Sequence, residues 1–144
     1  MKRAGFTMIV LIFVIVILGI LAAVAVPKLN ATRDDAKATK AATEISQAVN
    51  DIGTYYVGHG SFSGDSKDMT NVKFSESNLS DSTDSYYQVP AGTDCIKFAT
   101  DNAGELNITN KSGATGLCLT VQGIIANNDM NKTHSFGGSS IDFN

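Results

Sequence analysis

The chain is poor in the residues from which active sites are usually built. It has no Gly-x-Ser-x-Gly, His-Glu-x-x-His, P-loop or dinucleotide-binding motif, so the common signatures of hydrolytic, zinc-dependent and nucleotide-dependent chemistry are missing. Only two histidines occur, His59 and His134, each near glycine and without partners at a useful spacing; they read as exposed loop residues. Two cysteines, Cys95 and Cys118, lack the further ligands that a metal site needs. Positive charge is scarce and dispersed: 11 Lys and Arg face 14 acids, for a net charge of −3. Without a basic patch, nucleic-acid binding has no electrostatic footprint. The expectation is a protein that is not an enzyme, with no cofactor and no metal site.

Charge is also missing from one long stretch. Across residues 6–26 the only polar side chain is that of Thr7. A helix needs about 20 apolar residues to cross a bilayer, and residues 6–29 are read as such a segment. Backbone groups in lipid can be satisfied only internally, so the run is expected to be helical despite its many β-branched residues. Lys2 and Arg3 stand directly before it, which places the N-terminus on the cytoplasmic side and the remainder across the membrane. There oxidation is permitted, and Cys95 with Cys118 is expected to form a disulfide, two buried thiols being the alternative.

The start of the chain differs from an ordinary secretory signal, whose apolar core is about 7–15 residues and is followed by a small-residue cleavage site. Ala22-Ala23-Val24-Ala25-Val26-Pro27-Lys28 resembles such a site loosely, but the run before it is too long. The more informative features are Lys2-Arg3-Ala4-Gly5-Phe6-Thr7, the apolar run, Gly19 and Pro27. In that order they resemble the class III signal of type IV pilins and of the related pseudopilins of type II secretion. The likeness is close over about the first 30 residues and looser beyond. It implies that residues 1–5 are a leader, that a prepilin peptidase cleaves between Gly5 and Phe6, and that the same enzyme methylates the new amine of Phe6. It implies that Phe6, Val10, Gly19 and Pro27 take part in assembly, with the helix unwinding between Gly19 and Pro27 as subunits pack. For a single chain, a simple kink at Pro27 is an equal alternative. One departure stands out: the family usually carries Glu at the fifth mature position, where this chain has Val10.

Beyond Pro27 the pattern becomes amphipathic. Ala38, Ala41, Ile45, Ala48, Val49, Ile52 and Tyr56 recur at helical spacing. The helix is expected to end near Gly53 or shortly after, before Gly58, Gly60 and Gly64. Residues 54–92 read as an irregular connection with a short strand at 86–89. Strand signals follow at 95–100, 105–110 and 117–125, separated by turn sequences. The reading is α+β: a long N-terminal helix whose C-terminal half packs on a small antiparallel sheet, within a globular domain of residues 30–144. The resemblance implies the pilin fold. Cys95 and Cys118 would open the first and third strands of this meander, about 9.5 Å apart, whereas a disulfide needs Cα atoms within about 7 Å. Sequence alone leaves that conflict open. The tail, residues 126–144, reads as a polar loop ending in Ile141-Asp142-Phe143, a candidate edge strand or docking segment.

Other patterns are weaker. Asn127-Asn128-Asp129-Met130-Asn131 offers oxygen ligands without the spacing of a calcium loop and reads as a polar turn. The pairs Tyr55-Tyr56 and Tyr86-Tyr87 read as packing residues. Five Asn-x-Ser/Thr triplets occur, at Asn30, Asn78, Asn107, Asn110 and Asn131. Asn78, Asn107 and Asn131 also have an acid two residues earlier, resembling the extended bacterial acceptor for N-glycosylation. Coincidence in an Asn- and Ser-rich chain is the competing reading.

The resemblance therefore implies a structural subunit of a type IV pilus, a homo-oligomeric helical filament. Its partners would be a prepilin peptidase and an inner-membrane assembly platform. The precursor would sit in the inner membrane as a single-pass protein, and the mature form in a cell-surface pilus. The alternative is a type II secretion pseudopilin in a periplasmic pseudopilus; a single-pass membrane enzyme or binding module is a third reading.

Overall fold

The computed structural model describes residue 5 and residues 7–80, 82–90 and 92–137. Helix α1, Met8–His59, is the dominant element. It is followed by α2 (Ser66–Met69), β1 (Ser85–Val89), β2 (Thr93–Thr100), β3 (Glu105–Asn110), α3 (Leu117–Asn127) and β4 (Thr133–Ser135). The strands form one antiparallel sheet in the order β1-β2-β3-β4. The architecture is α+β, a long N-terminal helix with its C-terminal half on a small antiparallel sheet. The chain divides into two units, Met1–Asp35 and Ala36–Asn144.

In the second unit, Ala38, Ala41, Ile45, Ala48, Val49 and Ile52 of α1 are buried. Their three- and four-residue spacing gives one apolar stripe along the helix. The opposing layer comes from the strands. Register sets Tyr87 opposite Ile96, Phe98 opposite Ile108 and Thr100 opposite Leu106, and all six are buried. Alternation carries intervening residues such as Lys97, Asn107 and Thr109 to the other face. The alanines of α1 keep the helix surface low, so the larger sheet residues reach it. Tyr87 adds a polar tie across the interface, its hydroxyl donating to Glu44 Oε2 at 2.7 Å.

The connection between α1 and β1 is anchored rather than loose. Thr70 Oγ1 donates to Asp51 Oδ2 of α1 at 2.9 Å, and Met69 and Leu79 are buried in the core. Phe74 bridges to Tyr87 beside β1, and Ser75 N donates to Tyr86 O at 2.8 Å.

Three sequence expectations are corrected. First, α1 does not end between Gly53 and Gly58 but runs to His59. Gly53 lies inside it because Phe136 packs there, and the turn out of the helix falls at Gly60, with φ +74°, where glycine carries no Cβ penalty. Second, residues 117–125 are not a strand but the body of α3. Its buried residues Cys118, Val121, Gln122 and Ile125 are spaced for a helix face, and that period overrides the β-leaning composition. Third, residues 126–137 are not simply a loop. They contain β4, which pairs with β3 through Glu105–Ser135 and Asn107–Thr133. Ile141, Asp142 and Phe143 lie outside the described residues.

Candidate functional site

The first candidate is the surface of α1 over residues 8–29. Helical backbone hydrogen bonds close most of this stretch internally, as apolar surroundings require. Val10 N and Leu11 N both donate to Thr7 O, at 3.0 and 3.2 Å, as the helix begins. Every residue of α1 from Met8 to Lys37 is exposed within the chain. The least exposed large side chains there, Val10 and Val14, still show 44% of their surface. A single chain normally exposes apolar residues singly rather than along a whole helix. The helix is long and apolar enough to cross a membrane, by length and composition. This is a candidate single span near the N-terminus.

Gly19 and Pro27 are both helical. A β-carbon at Gly19 would meet nothing within 4 Å, so no packing within this chain requires glycine there. Pro27 lies inside α1 without an N–H to give, so the carbonyl one turn earlier loses its usual donor. Gly5 also has open space around it. Phe6, named by the sequence as the residue after cleavage and as the methylated amine, lies outside the described residues.

The second candidate is the clamp at α3. Cys95 and Cys118 form a disulfide with Cα atoms 5.5 Å apart. The spacing conflict of a third strand disappears because Cys118 is on a helix packed on β2. Register supplies the other half: Tyr87 pairs with Ile96 and Gln88 with Asp94. Cys95 is thus the extra residue of a bulge, which re-aims its side chain. Gln122, buried on the same helix face, donates through Nε2 to Cys95 O at 3.1 Å and to Lys111 O at 2.9 Å. The amide thereby ties two neighbouring carbonyls, of which that of Cys95 also accepts from Lys111 N at 3.0 Å. Sequence reasoning missed Gln122, although its place one turn after Cys118 on an apolar helical face was a signal.

The acceptor asparagines divide by backbone setting. All three are exposed. Asn107 lies within β3, paired to Ala99 on one side and Thr133 on the other. Asn78 and Asn131 lie outside strands and helices. Asn78 Oδ1 accepts from Ser80 N at 2.8 Å, an Asx turn. Near Asn131, the Asp129 carboxylate is paired with Lys132, whose hydrogen bond holds it below the usual carboxylate range.

The histidines are not loop residues. His59 is the last residue of α1 and stacks on Tyr55 with ring centroids 4.0 Å apart. His134 belongs to β4, with Nε2 3.1 Å from Met130 O. Among the described residues, no three His, Cys, Asp or Glu side chains form a group that could hold a metal ion. On the outer sheet face, Asp94 is held below its ordinary range by hydrogen bonds from Gln88 and Lys111. Lys111 Nζ also lies 4.9 Å from the centre of the Tyr86 ring.

Compared with family models, curated proteins and solved structures, the chain gives no match.

Proposed function

We propose that this chain is a structural subunit of a type IV pilus. In this reading the precursor enters the inner membrane through residues 6–29 with its N-terminus cytoplasmic. A prepilin peptidase cuts between Gly5 and Phe6 and methylates Phe6. The mature chain then polymerises with copies of itself at the cell surface. Its work is mechanical rather than catalytic.

The observation that carries the reading is an apolar helical surface that the described chain leaves exposed, together with a core that closes without it. The core begins at Ala38, while α1 from Met8 to Lys37 is exposed. A bilayer can cover that surface before assembly and other copies can cover it afterwards. Moving it from lipid tails to a protein core exchanges one apolar setting for another, so the hydrophobic effect contributes little to that step. Close packing must favour the filament, and an assembly platform must supply the work of extraction.

The test is expression with a prepilin peptidase and a pilus assembly system. Surface fibres that contain this chain, beginning at N-methylated Phe6, are expected. An uncleaved chain that stays in the membrane under those conditions would contradict the proposal. Fibres seen only in the periplasm and tied to protein secretion would favour the pseudopilin reading instead.

A further inference from the structure

The segment between α1 and β1 encloses a cleft of about 500 Å³ whose lining includes Lys67, Lys73, Phe74, Asn71, Ser66 and Ser77. The volume is within the range of about 300–1,000 Å³ typical of small-ligand sites. No acidic residue lines it.

The charge pattern is unlike that of the rest of the globular unit. Lys40, Lys97, Lys111 and Lys132 each pair with a carboxylate. Among the described residues, the ammonium groups of Lys67 and Lys73 have neither an ion pair nor a hydrogen bond. Three acids of these segments accept hydrogen bonds from other groups, while Glu76, between the lining residues Ser75 and Ser77, is exposed. Asp68 Oδ2 accepts from Ser63 Oγ at 2.7 Å, Asp65 Oδ1 from Lys67 N at 3.0 Å, and Asp51 from Thr70. Lys73 also borders a neighbouring cleft with Glu44, but that carboxylate takes the Tyr87 hydroxyl and Lys40. Two unpaired cations thus share one cleft in a chain that is acidic overall.

The walls are fixed. Ser66 N donates to Ser77 O at 2.6 Å, joining the two ends of the cleft. Phe74 is held edge-on against Phe98, with centroids 4.9 Å apart and planes at 62°, and its backbone bridges to Tyr87. An aromatic side chain, an exposed amide and hydroxyls beside two cations suit a ligand that combines C–H faces, hydroxyls and negative charge. A preformed site of this kind costs little ordering on binding.

We propose that this cleft binds acidic sugar units. Lys67 and Lys73 receive the carboxylate or sulfate, Phe74 offers a surface to the C–H face of the ring, and the exposed Asn71 and Ser77 meet its hydroxyls. The site is independent of residues 6–29, so its failure would leave the filament reading untouched.

Calorimetric titration of the full chain in polyoxyethylene-detergent micelles tests this. The probes are trigalacturonate, a sulfated chondroitin disaccharide, neutral maltotriose and inorganic sulfate. At least one acidic sugar should bind at about 0.1–1 mM, with maltotriose and inorganic sulfate at least about tenfold weaker. Trigalacturonate alone would identify a carboxylate ligand and the chondroitin unit alone a sulfate ligand. Lys67→Gln and Lys73→Gln should each weaken binding at least about threefold and reduce its salt dependence. Lys132→Gln, at an exposed lysine before β4, should leave it unchanged, and no variant should shift the unfolding midpoint. Absence of binding by both acidic sugars would overturn the proposal. So would binding indifferent to both lysine substitutions, or inorganic sulfate binding as tightly as the sugars.

Discussion

Phe136 sits on Gly53 of α1 so closely that a β-carbon built on that glycine would clash with the ring's Cε1. The contact joins the segment after β4 to the helix, and it turns a normally unfavourable helical glycine into a requirement. In an open helix, Gly→Ala stabilises by about 1 kcal/mol. Here Gly53→Ala should destabilise by about 1–3 kcal/mol through overpacking. In a Phe136→Ala background the same change should become neutral or stabilising. Urea unfolding of the four chains checks this through the sign of the coupling.

The disulfide supports the globular unit. Cys95 and Cys118 are 23 residues apart in sequence, and closing a loop of that size contributes about 3 kcal/mol in the chain-entropy model. Intact mass under non-reducing conditions should show no alkylatable thiol. Reduction should lower the unfolding free energy by about 2–4 kcal/mol and loosen α3 first, seen as faster amide exchange over Leu117–Asn127. Two free thiols in the native oxidised chain would contradict the assignment.

Tyr87 gives a pH signature. Burial first, then the hydrogen bond and charge of Glu44, push its phenol above the ordinary tyrosine range. A raised folded pKa means that the folded state holds this proton more tightly than the unfolded state. The contribution is complete below the unfolded value of about 10 and is lost as pH rises beyond it. Absorbance titration at high pH should therefore show one of the four tyrosines ionising only as the protein unfolds. Tyr87→Phe should remove that delayed step and cost about 1.5–3 kcal/mol at neutral pH, the worth of a hydrogen bond to a charged acceptor. A single normal transition for all four would refute it.

Much of the fold was legible because period and punctuation agreed. The stripe from Ala38 to Ile52 and the strand Glu105–Asn110 were read as the structure has them. Where those signals conflicted, the reading failed. Leu117, Leu119, Thr120, Val121, Ile124 and Ile125 look like a strand by composition, whereas Cys118, Val121, Gln122 and Ile125 form a helical face. Composition points to a strand, period points to a helix, and period decides. Reading a strand there produced the disulfide conflict, since a helix lying on β2 brings Cys118 to Cys95 without a strand between them. The helix end was misjudged because Gly53 is a contact glycine, visible only with Phe136 in place. The apolar surface of the candidate assembly segment was evident from residues 6–26. The cleft at Lys67 and Lys73 was not, because it depends on folding of a loop that carries no periodic signal.

Val10 bears on the assembly mechanism. Its side chain can neither carry charge nor accept a hydrogen bond from the amine of Phe6 in a neighbouring copy, the role that the resemblance implies for Glu at this position. An acid at mid-membrane costs about 2.5–3.5 kcal/mol on insertion scales, so a filament that keeps one would use it. Val10→Glu should raise filament yield and sharpen subunit register while leaving the cleaved fraction unchanged, because Gly5 and Phe6 are intact. Equal yield from parent and variant in the same cells would show that the carboxylate is dispensable here.

If residues 6–29 form the assembly surface, the rest of the chain should fold without them. Sedimentation of the mature chain, residues 6–144, against residues 30–144 after detergent removal is the most direct test. The shorter chain should run as a soluble, folded monomer with its disulfide intact, while the mature chain should form large oligomers or fibres. A mature chain that stays soluble and monomeric without detergent would contradict that assembly role.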